Sequence, residues 1–424
     1  MVKLYETESY LKENQTTVTY SETIRDEAGR GENCNSETGN GEYGDGAGNE
    51  YGLIRLDESI FFPEEGGQYA DTGYIEIIES AGTNNSNRIR LLDGQIENGI
   101  VTYKVAHPIP AGTKVACHLD WDMRFMRMQN HSGEHVLTGA VHNKYGLNNC
   151  GFHLSDDDLV TLDFDGILSY EQIIEMEREA NRVIYENVPI RDSYPTREEL
   201  GSISYRSKIE IEGQVRLVTI GDENKTYDVC ACCAPHVRRT GEIGIIKVIS
   251  VVKFKKGIQV AILCGERALD YINKEHSLVT KVARDFSTAA ENIPYVIKNH
   301  MDEIADLKAR LSAAIVGRLI RELDSMTDRA EKCVFTEDEL SANDMKNVYN
   351  EMVERFDGFV GVFCGSDEAG YRFNAGGKDL DARHLLALMQ EGLLAKGGGS
   401  PQMIQGRVGA GMEAIRDFYA RVNS

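Results

Sequence analysis

The sequence predicts an α+β protein of several domains, and three observations carry the prediction. Through most of the first hundred residues, apolar side chains alternate with polar ones, which is the period of a strand. From Asp122 the period lengthens to three and four, and helical stretches then alternate with hairpins. From about Arg267 a long helical stretch separates this region from a last α/β module. The predicted domains are a small β-barrel-like domain over 1–105, an α+β domain over 106–266, a helical hairpin or coiled-coil arm over 267–329, and a C-terminal α/β module over 330–424.

Each domain has its own signals. In the first, KLYETESY, TTVTYSE, GLIRLDESIFF, GYIEIIES and RIRLLDGQIENGIVTYKVAH read as strands broken by Gly, Asn and Pro turns, and TKVACHLDW just beyond residue 105 reads as a further strand. Residues 21–50 interrupt them with a stretch rich in Gly, Asn and Glu and almost free of aliphatics. It cannot bury a core and predicts a disordered surface insertion. In the second, MRFMRMQNHSGEHVLTGAVHNKYG and YEQIIEMEREANRVIYEN read as helices, and EIEGQVRLVTIGD, GIIKVISVVKF and IQVAILCG as strands. In the arm, Ile297, Met301, Ile304, Leu307, Leu311 and Ile315 keep helical spacing, with Pro294 separating two helices. The last module reads as a strand (GFVGVFCGSD), a helix (ARHLLALMQEGLLA), a glycine loop (KGGGSPQMIQG) and a final helix.

Composition narrows the function. The chain has 424 residues, with 46 basic against 68 acidic side chains and a net charge of −22. That counts against a broad electrostatic grip on nucleic acid but leaves local basic patches open. No run of about 18 apolar residues is present, so no membrane partner is expected. The polar N-terminus lacks a signal-peptide core, and the nine cysteines are odd in number. Both features suggest a reducing cytoplasm, where a cysteine cluster serves metal or catalysis.

The chemistry concentrates in two halves. His131 and His135, four apart on a predicted helix, share one face at neighbouring turns and are near enough to share a metal. About a hundred residues later, Cys-Ala-Cys-Cys-Ala-Pro-His places Cys232 and His236 at short spacing in a turn. Together they make a tetrahedral nitrogen–sulfur set suited to one Zn²⁺. Spacing selects Cys232, with Cys230 and Cys233 as neighbours able to substitute. Four protein ligands would leave the zinc structural, stapling the domain. An open position would let it polarise water or substrate.

The pairing of HSGEH with CCAPHVRRTGEIG resembles the signature of the alanyl-tRNA synthetase editing domain and its freestanding AlaX relatives. LDESIFFPEEGGQYADTG resembles the glycine-rich stretch of the same family through Asp57, Phe61, Phe62, Pro63, Glu64, Gly66, Gly67, Gln68, Asp71 and Gly73. KGGGSPQMIQG resembles the glycine loop of the DHH-associated C-terminal domain, and the three motifs stand in family order.

The resemblance implies a long-form, trans-acting editor that needs no ATP and guards translation fidelity. It would hydrolyse the ester of tRNA-Ala wrongly charged with serine, or also with glycine. The metal ligands implied are His131, His135, Cys232 and His236, with Asn149 and His153 as candidates for contributing to the reaction near the metal. Gly66, Gly67 and Gln68 would let backbone approach the tRNA end, or would simply form a tight turn. Arg238 and Arg239 would hold the acceptor stem, and Lys396 with Gly397, Gly398 and Gly399 would meet tRNA phosphate. A homodimer through the C-terminal module is also implied, with Leu385, Leu386, Leu388 and Met389 as its apolar stripe. Two alternatives are a non-catalytic, zinc-stapled tRNA-binding protein and an editor of Ser-tRNA-Thr.

Overall fold

The computed structural model describes residues 1–25, 50–78, 88–154, 159–207, 213–326 and 330–424. They form two compact units, 1–278 and 279–424. Among the described residues no helix is long and apolar enough to cross a membrane.

The first unit opens with β1 (Val2–Lys3), α1 (Leu4–Thr7) and β2 (Glu13–Arg25). It continues through β3 (Glu50–Leu56), β4 (Glu58–Ser59), β5 (Gly73–Ile77), β6 (Arg88–Glu97), β7 (Ile100–Val105) and β8 (Lys114–Leu119). Six of these close a barrel in the order β2-β3-β7-β6-β5-β8. Strand alternation explains closure: in β7, Val101, Tyr103 and Val105 point inward, and in β8, Val115, Cys117 and Leu119 do the same. The barrel therefore does not stop at residue 105 as the sequence predicts. Its closing strand β8 pairs with both β2 and β5 and carries the domain to Leu119. Most of the 21–50 insertion lies outside the described residues. Residues 21–25 and Glu50 are not insertion but strand, because Ser21–Arg25 pairs with Glu50–Ile54.

A helix of 25 residues, α2 (Trp121–Tyr145), follows directly. Asp120 caps its start by accepting from Met123 N, and Gly146 ends it in a left-handed conformation at φ 70°. Then come β9 (Asn149–His153), β10 (Val160–Phe164), α3 (Tyr170–Glu186), β11 (Ile190–Ser193) and α4 (Arg197–Leu200). They are followed by β12 (Leu217–Gly221), β13 (Thr226–Ala231), β14 (Ile246–Phe254), β15 (Gly257–Cys264) and α5 (Gly265–Asp285), which crosses into the second unit. Ser169 and Gln172 form a reciprocal capping box that starts α3. The strands make a four-stranded sheet, β14-β15-β10-β9, and a three-stranded sheet, β11-β12-β13. One core joins them to the helices through Leu137 and Val141 of α2, Ile173 and Met176 of α3, and Leu162, Val260 and Ile262 of the sheet.

The second unit contains α6 (Ile293–Leu323), β16 (Cys333–Thr336), α7 (Ala342–Arg355), β17 (Phe359–Ser366) and β18 (Gly370–Gly377). It ends with α8 (Ala382–Leu393), β19 (Lys396–Gly399), β20 (Ile404–Val408) and α9 (Met412–Val422). The five-stranded sheet β16-β17-β18-β20-β19 buries both faces. Val360 and Val362 pack with α6 and α7, and Phe363 and Phe373 pack with α8 and α9. Pro294 sits in the first turn of α6, where a missing N–H costs nothing. Two expectations change here. Leu385 and Met389 are fully buried in this unit's own core, so the stripe offered for dimerisation is spent on packing. The Lys396–Gly399 segment is not a loop but the edge strand β19, paired to β20. Its glycines allow that pairing, since a Cβ on Gly397 would stand 2.3 Å from Gln405 O.

Candidate metal centre

Helix α2 is buried on every face from Asn130 to Gly139. The barrel motif reaches it from one side and β13 from another. Gly139 allows the second approach, because a Cβ there would meet Asp228 Cβ at 2.9 Å. His131 and His135, 2% and 1% exposed, therefore face an enclosed space rather than solvent.

The second half arrives on the turn after β13. Arg216 pins that turn by donating from Nη1 to Cys232 O at 3.0 Å and Ala234 O at 2.9 Å. Cys232 Sγ then lies 3.5 Å from His131 Nε2 and 3.3 Å from His236 Nε2. One ligand atom from each of His131, His135, Cys232 and His236 lies within 4.8 Å of every other. Tetrahedral zinc, with bonds of about 2.0–2.3 Å, spaces its ligands by roughly 3.3–3.8 Å, so the donor set fits that ion.

The other nitrogen of each imidazole is also engaged. His131 Nδ1 donates to Gln68 Oε1 at 2.8 Å. His236 Nδ1 donates to Ser132 Oγ at 3.1 Å, and the same oxygen accepts from Val237 N. His135 Nδ1 faces Asp228 Oδ2 at 3.4 Å. Hydrogen bonds at Nδ1 fix the rings of His131 and His236 with Nε2 toward Cys232, the arrangement metal-ligating histidines require, and His135 has the Asp228 carboxylate nearby without a formed hydrogen bond.

Electrostatics suit the same ion. Burial pushes the Cys232 thiol up, but the neighbouring imidazoles, His131 first, outweigh it and hold the group well below its ordinary range. Burial pushes His236 down to about 3, leaving it neutral. Burial also opposes charge on His135, yet Glu134, Cys230 and Asp228 together raise it well above its ordinary value. A cation arriving at the centre must displace that proton.

His135, Asp228 and Cys230 form a second close group. Arg206 already occupies it, donating from Nε and Nη2 to the two carboxylate oxygens of Asp228, both at 2.7 Å. A second dication there would face a guanidinium, so Asp228 is better read as the support of His135. Cys233 turns away, with its Sγ toward the glycine turn at Gly66. Burial, then Cys232 and Glu65, raise its thiol above the ordinary range.

The other candidates separate. Asn149 is buried and donates from Nδ2 to Glu134 Oε1 at 2.5 Å. Glu134 Oε2 in turn stands 3.5 Å from His135 Nε2, so Asn149 joins the edge of the centre. His153 is exposed at the far end of β9, where it pairs with Thr161, and is not brought in. Gly66 and Gly67 hold φ of 65° and 85°, and a Cβ on Gly67 would lie 2.4 Å from Phe152 O. Their turn docks on β9 and delivers Gln68 into the interior. Arg238 stacks over the Tyr10 ring at 4.2 Å. Arg239 is spent within the domain, donating to Asn187 O. In the second unit, Lys396 borders a cavity of about 660 Å³ with Arg372, Arg407, Glu337 and Glu339. Gly397, Gly398 and Gly399 are exposed on β19.

Several working residues escaped the sequence reading. Ser132 and Glu134 stand inside the HSGEH motif, and the histidine spacing drew attention past them. Arg124 is fully buried, bonds Asp71 and Ile60 O, and ties the barrel motif to α2. Asp228, Arg206 and Arg216 are single charges in strand-like or loop sequence, with no local signal of where they point.

Residues 215–259 match the family model described as the threonyl and alanyl tRNA synthetase second additional domain. The chain is 32% identical over 229 residues to the alanyl-tRNA editing protein AlaX-L of Pyrococcus horikoshii, covering 52% of this chain and 53% of that protein. It is 28% identical over 315 residues to an alanine–tRNA ligase of Pyrococcus furiosus, covering 70% of this chain and 33% of the ligase. With an alanine–tRNA ligase of Methanocorpusculum labreanum the identity is 26% over 384 residues, covering 88% and 40%. The chain thus spans between a third and just over half the length of these curated relatives. The resemblance to the alanyl-tRNA editing family, carried by HSGEH, CCAPHVRRTGEIG and the two glycine motifs, is thereby borne out.

Proposed function

We propose that the chain hydrolyses the ester joining a wrong amino acid to the 3′ end of tRNA-Ala, with serine as the main substrate and glycine as a second. The observation that carries this reading is the enclosed donor set of His131, His135, Cys232 and His236, with His131 and His236 held at Nδ1 by oxygen partners and the Asp228 carboxylate beside His135. Bound there, Zn²⁺ would polarise the ester carbonyl or a water, or position the amino acid.

The chain's own residues do the rest. Gln68, Ser132 and Asp228 orient the three imidazoles. Asn149 and Glu134 line the edge of the centre as a polar wall, which a serine hydroxyl can meet by hydrogen bonding and an alanine methyl cannot. A methyl offers that wall no hydrogen bond in exchange for the water it displaces, which gives the required direction of selectivity. Gly66 and Gly67 bring backbone to the same edge, and Arg238 faces outward for the acceptor stem. Lys396 and the β19 glycines, in the second unit, offer another contact for tRNA phosphate. The similarity to proteins named for alanyl-tRNA editing supports tRNA-Ala over tRNA-Thr, and the reading places the chain in the cytoplasm, where tRNA is charged.

The test is deacylation of Ser-tRNA-Ala, Gly-tRNA-Ala, Ala-tRNA-Ala and Ser-tRNA-Thr by zinc-loaded wild type, Cys232→Ala and His131→Ala. Turnover of the mischarged tRNA-Ala species, lost in both variants, is expected. Absence of turnover on every substrate would leave a zinc-stapled binding protein, and preference for Ser-tRNA-Thr would overturn the alanine assignment alone.

A further inference from the structure

Behind the turn that carries Cys232 and His236 lies a small cleft of about 90 Å³. Its walls include Arg191, Arg216, Arg238, Asp192, Ser9 and His236. A chain with a net charge of −22 thus gathers three arginines around one hollow. The hollow is small, with a lining more polar than apolar, which suits a compact oxyanion.

Arg216 supplies the second observation. It is 9% exposed. Two of its nitrogens are committed, Nη1 to Cys232 O and Ala234 O, and Nη2 to Glu6 O at 3.4 Å. Its Nε is buried and has no hydrogen-bond partner, and Asp192 Oδ2 stands 3.8 Å away, beyond bonding distance. A buried cationic N–H without an acceptor is costly, and an anion entering the cleft would relieve it. Arg238 is steadied by its stack on Tyr10, and Arg191 projects from β11 on the exposed side. Planar guanidinium donors converging from three directions complement a group with several acceptor oxygens. His236 borders both the cleft and the metal cluster, so the two are contiguous.

We propose that this cleft is a phosphate-binding subsite, and that its ligand is a phosphodiester next to the terminal nucleotide of a tRNA acceptor end. The choice of source rests on the editing function proposed above; the anion chemistry does not. Asp192 is the opposing charge that keeps the empty cleft balanced and limits affinity.

Calorimetric titration of the full chain with inorganic phosphate and with the trinucleotide CCA, at low salt and with metal chelated, tests the proposal. Both should bind, and phosphate should compete with the trinucleotide. Arg191→Gln should weaken both at least fivefold, and Asp192→Asn should tighten both severalfold. Tighter binding cannot arise from a damaged fold, so the second variant decides the matter if the first folds poorly. No binding of either probe, or affinities unmoved by both substitutions, would overturn the subsite. Phosphate binding without competition from the trinucleotide would overturn the acceptor-end source. The readout uses neither zinc nor turnover, so it stands apart from the outcome of the deacylation assay.

Discussion

Two glycine motifs of similar appearance do different work in this protein. Glu65-Gly66-Gly67-Gln68 and Lys396-Gly397-Gly398-Gly399 both read as places where backbone comes close to something. In the first, the something is the protein itself: Gly67 lies against Phe152 O, and the turn delivers Gln68 to His131. In the second, Gly397 and Gly399 lie against β20 while all four residues stay exposed at a sheet edge. Glycine marks close approach in both, but the residue after it decides the use. A polar side chain turned inward supports a ligand, and an exposed edge leaves the backbone free to meet one. The contrast predicts a steep gradient of effects between the two.

The largest effect belongs to Gly67→Ala. Its φ of 85° disfavours any side chain, and the Cβ would overlap Phe152 O. Strain and displacement together should cost roughly 3 kcal/mol or more, read as a fall in the denaturation midpoint, with metal affinity falling as Gln68 moves. A midpoint near wild type would mean that the turn can shift away from β9 and does not fix the centre.

Next comes Gln68→Ala, which removes the oxygen on His131 Nδ1 without touching a ligand. Loss of such a partner lowers metal affinity by about 10–100-fold. Competition with a chromogenic chelator measures it. Unchanged affinity would assign Gln68 to the substrate instead. Asp228→Asn should act on His135 in the same range, with an added loss of fold stability, because Arg206 would lose the carboxylate that balances its charge.

How much of this was legible in the sequence follows from the range of each signal. The four members of the donor set are readable because histidines four apart on a helix and a Cys-x-x-x-His turn are local patterns. The barrel was readable because strand alternation is local too, although its closure by β8 was not, since a non-local pairing leaves no mark in spacing. The supports of the imidazoles were missed for the same reason. Gln68 is 63 residues from His131, and Ser132 is 104 from His236. Leu385 and Met389 were read as an exposed stripe because periodicity reports that a helix has an apolar face but not what covers it.

The pH dependence sharpens the comparison within the centre. His236 is already neutral in the metal-free chain, so it releases no proton when the ion binds. His135 does, because its folded value is raised well above 6.5. In the metal-free chain its charged form contributes stability that is fully present below about 6.5 and is lost as pH rises through the raised folded value. Metal affinity should move the opposite way, climbing by about tenfold per pH unit while one proton is displaced, and levelling above the raised value. A slope of zero across this range, measured by chelator competition at several pH values, would mean that His135 is neutral before the ion arrives.

The smallest effect is expected at Gly398→Ala, and it tests the contrast from the other side. A Cβ there meets nothing within 4 Å, and the strand needs no left-handed backbone at that position. Stability should stay within about 0.5 kcal/mol of wild type, as for an ordinary surface change. If Lys396 and β19 meet tRNA phosphate through close backbone approach, the added methyl should still weaken tRNA binding while leaving hydrolysis of a short aminoacylated acceptor stem unchanged. Equal loss on full tRNA and on the short stem would place β19 in the fold's support rather than at a contact with tRNA. No loss on either would reduce its glycines to what pairing with β20 requires.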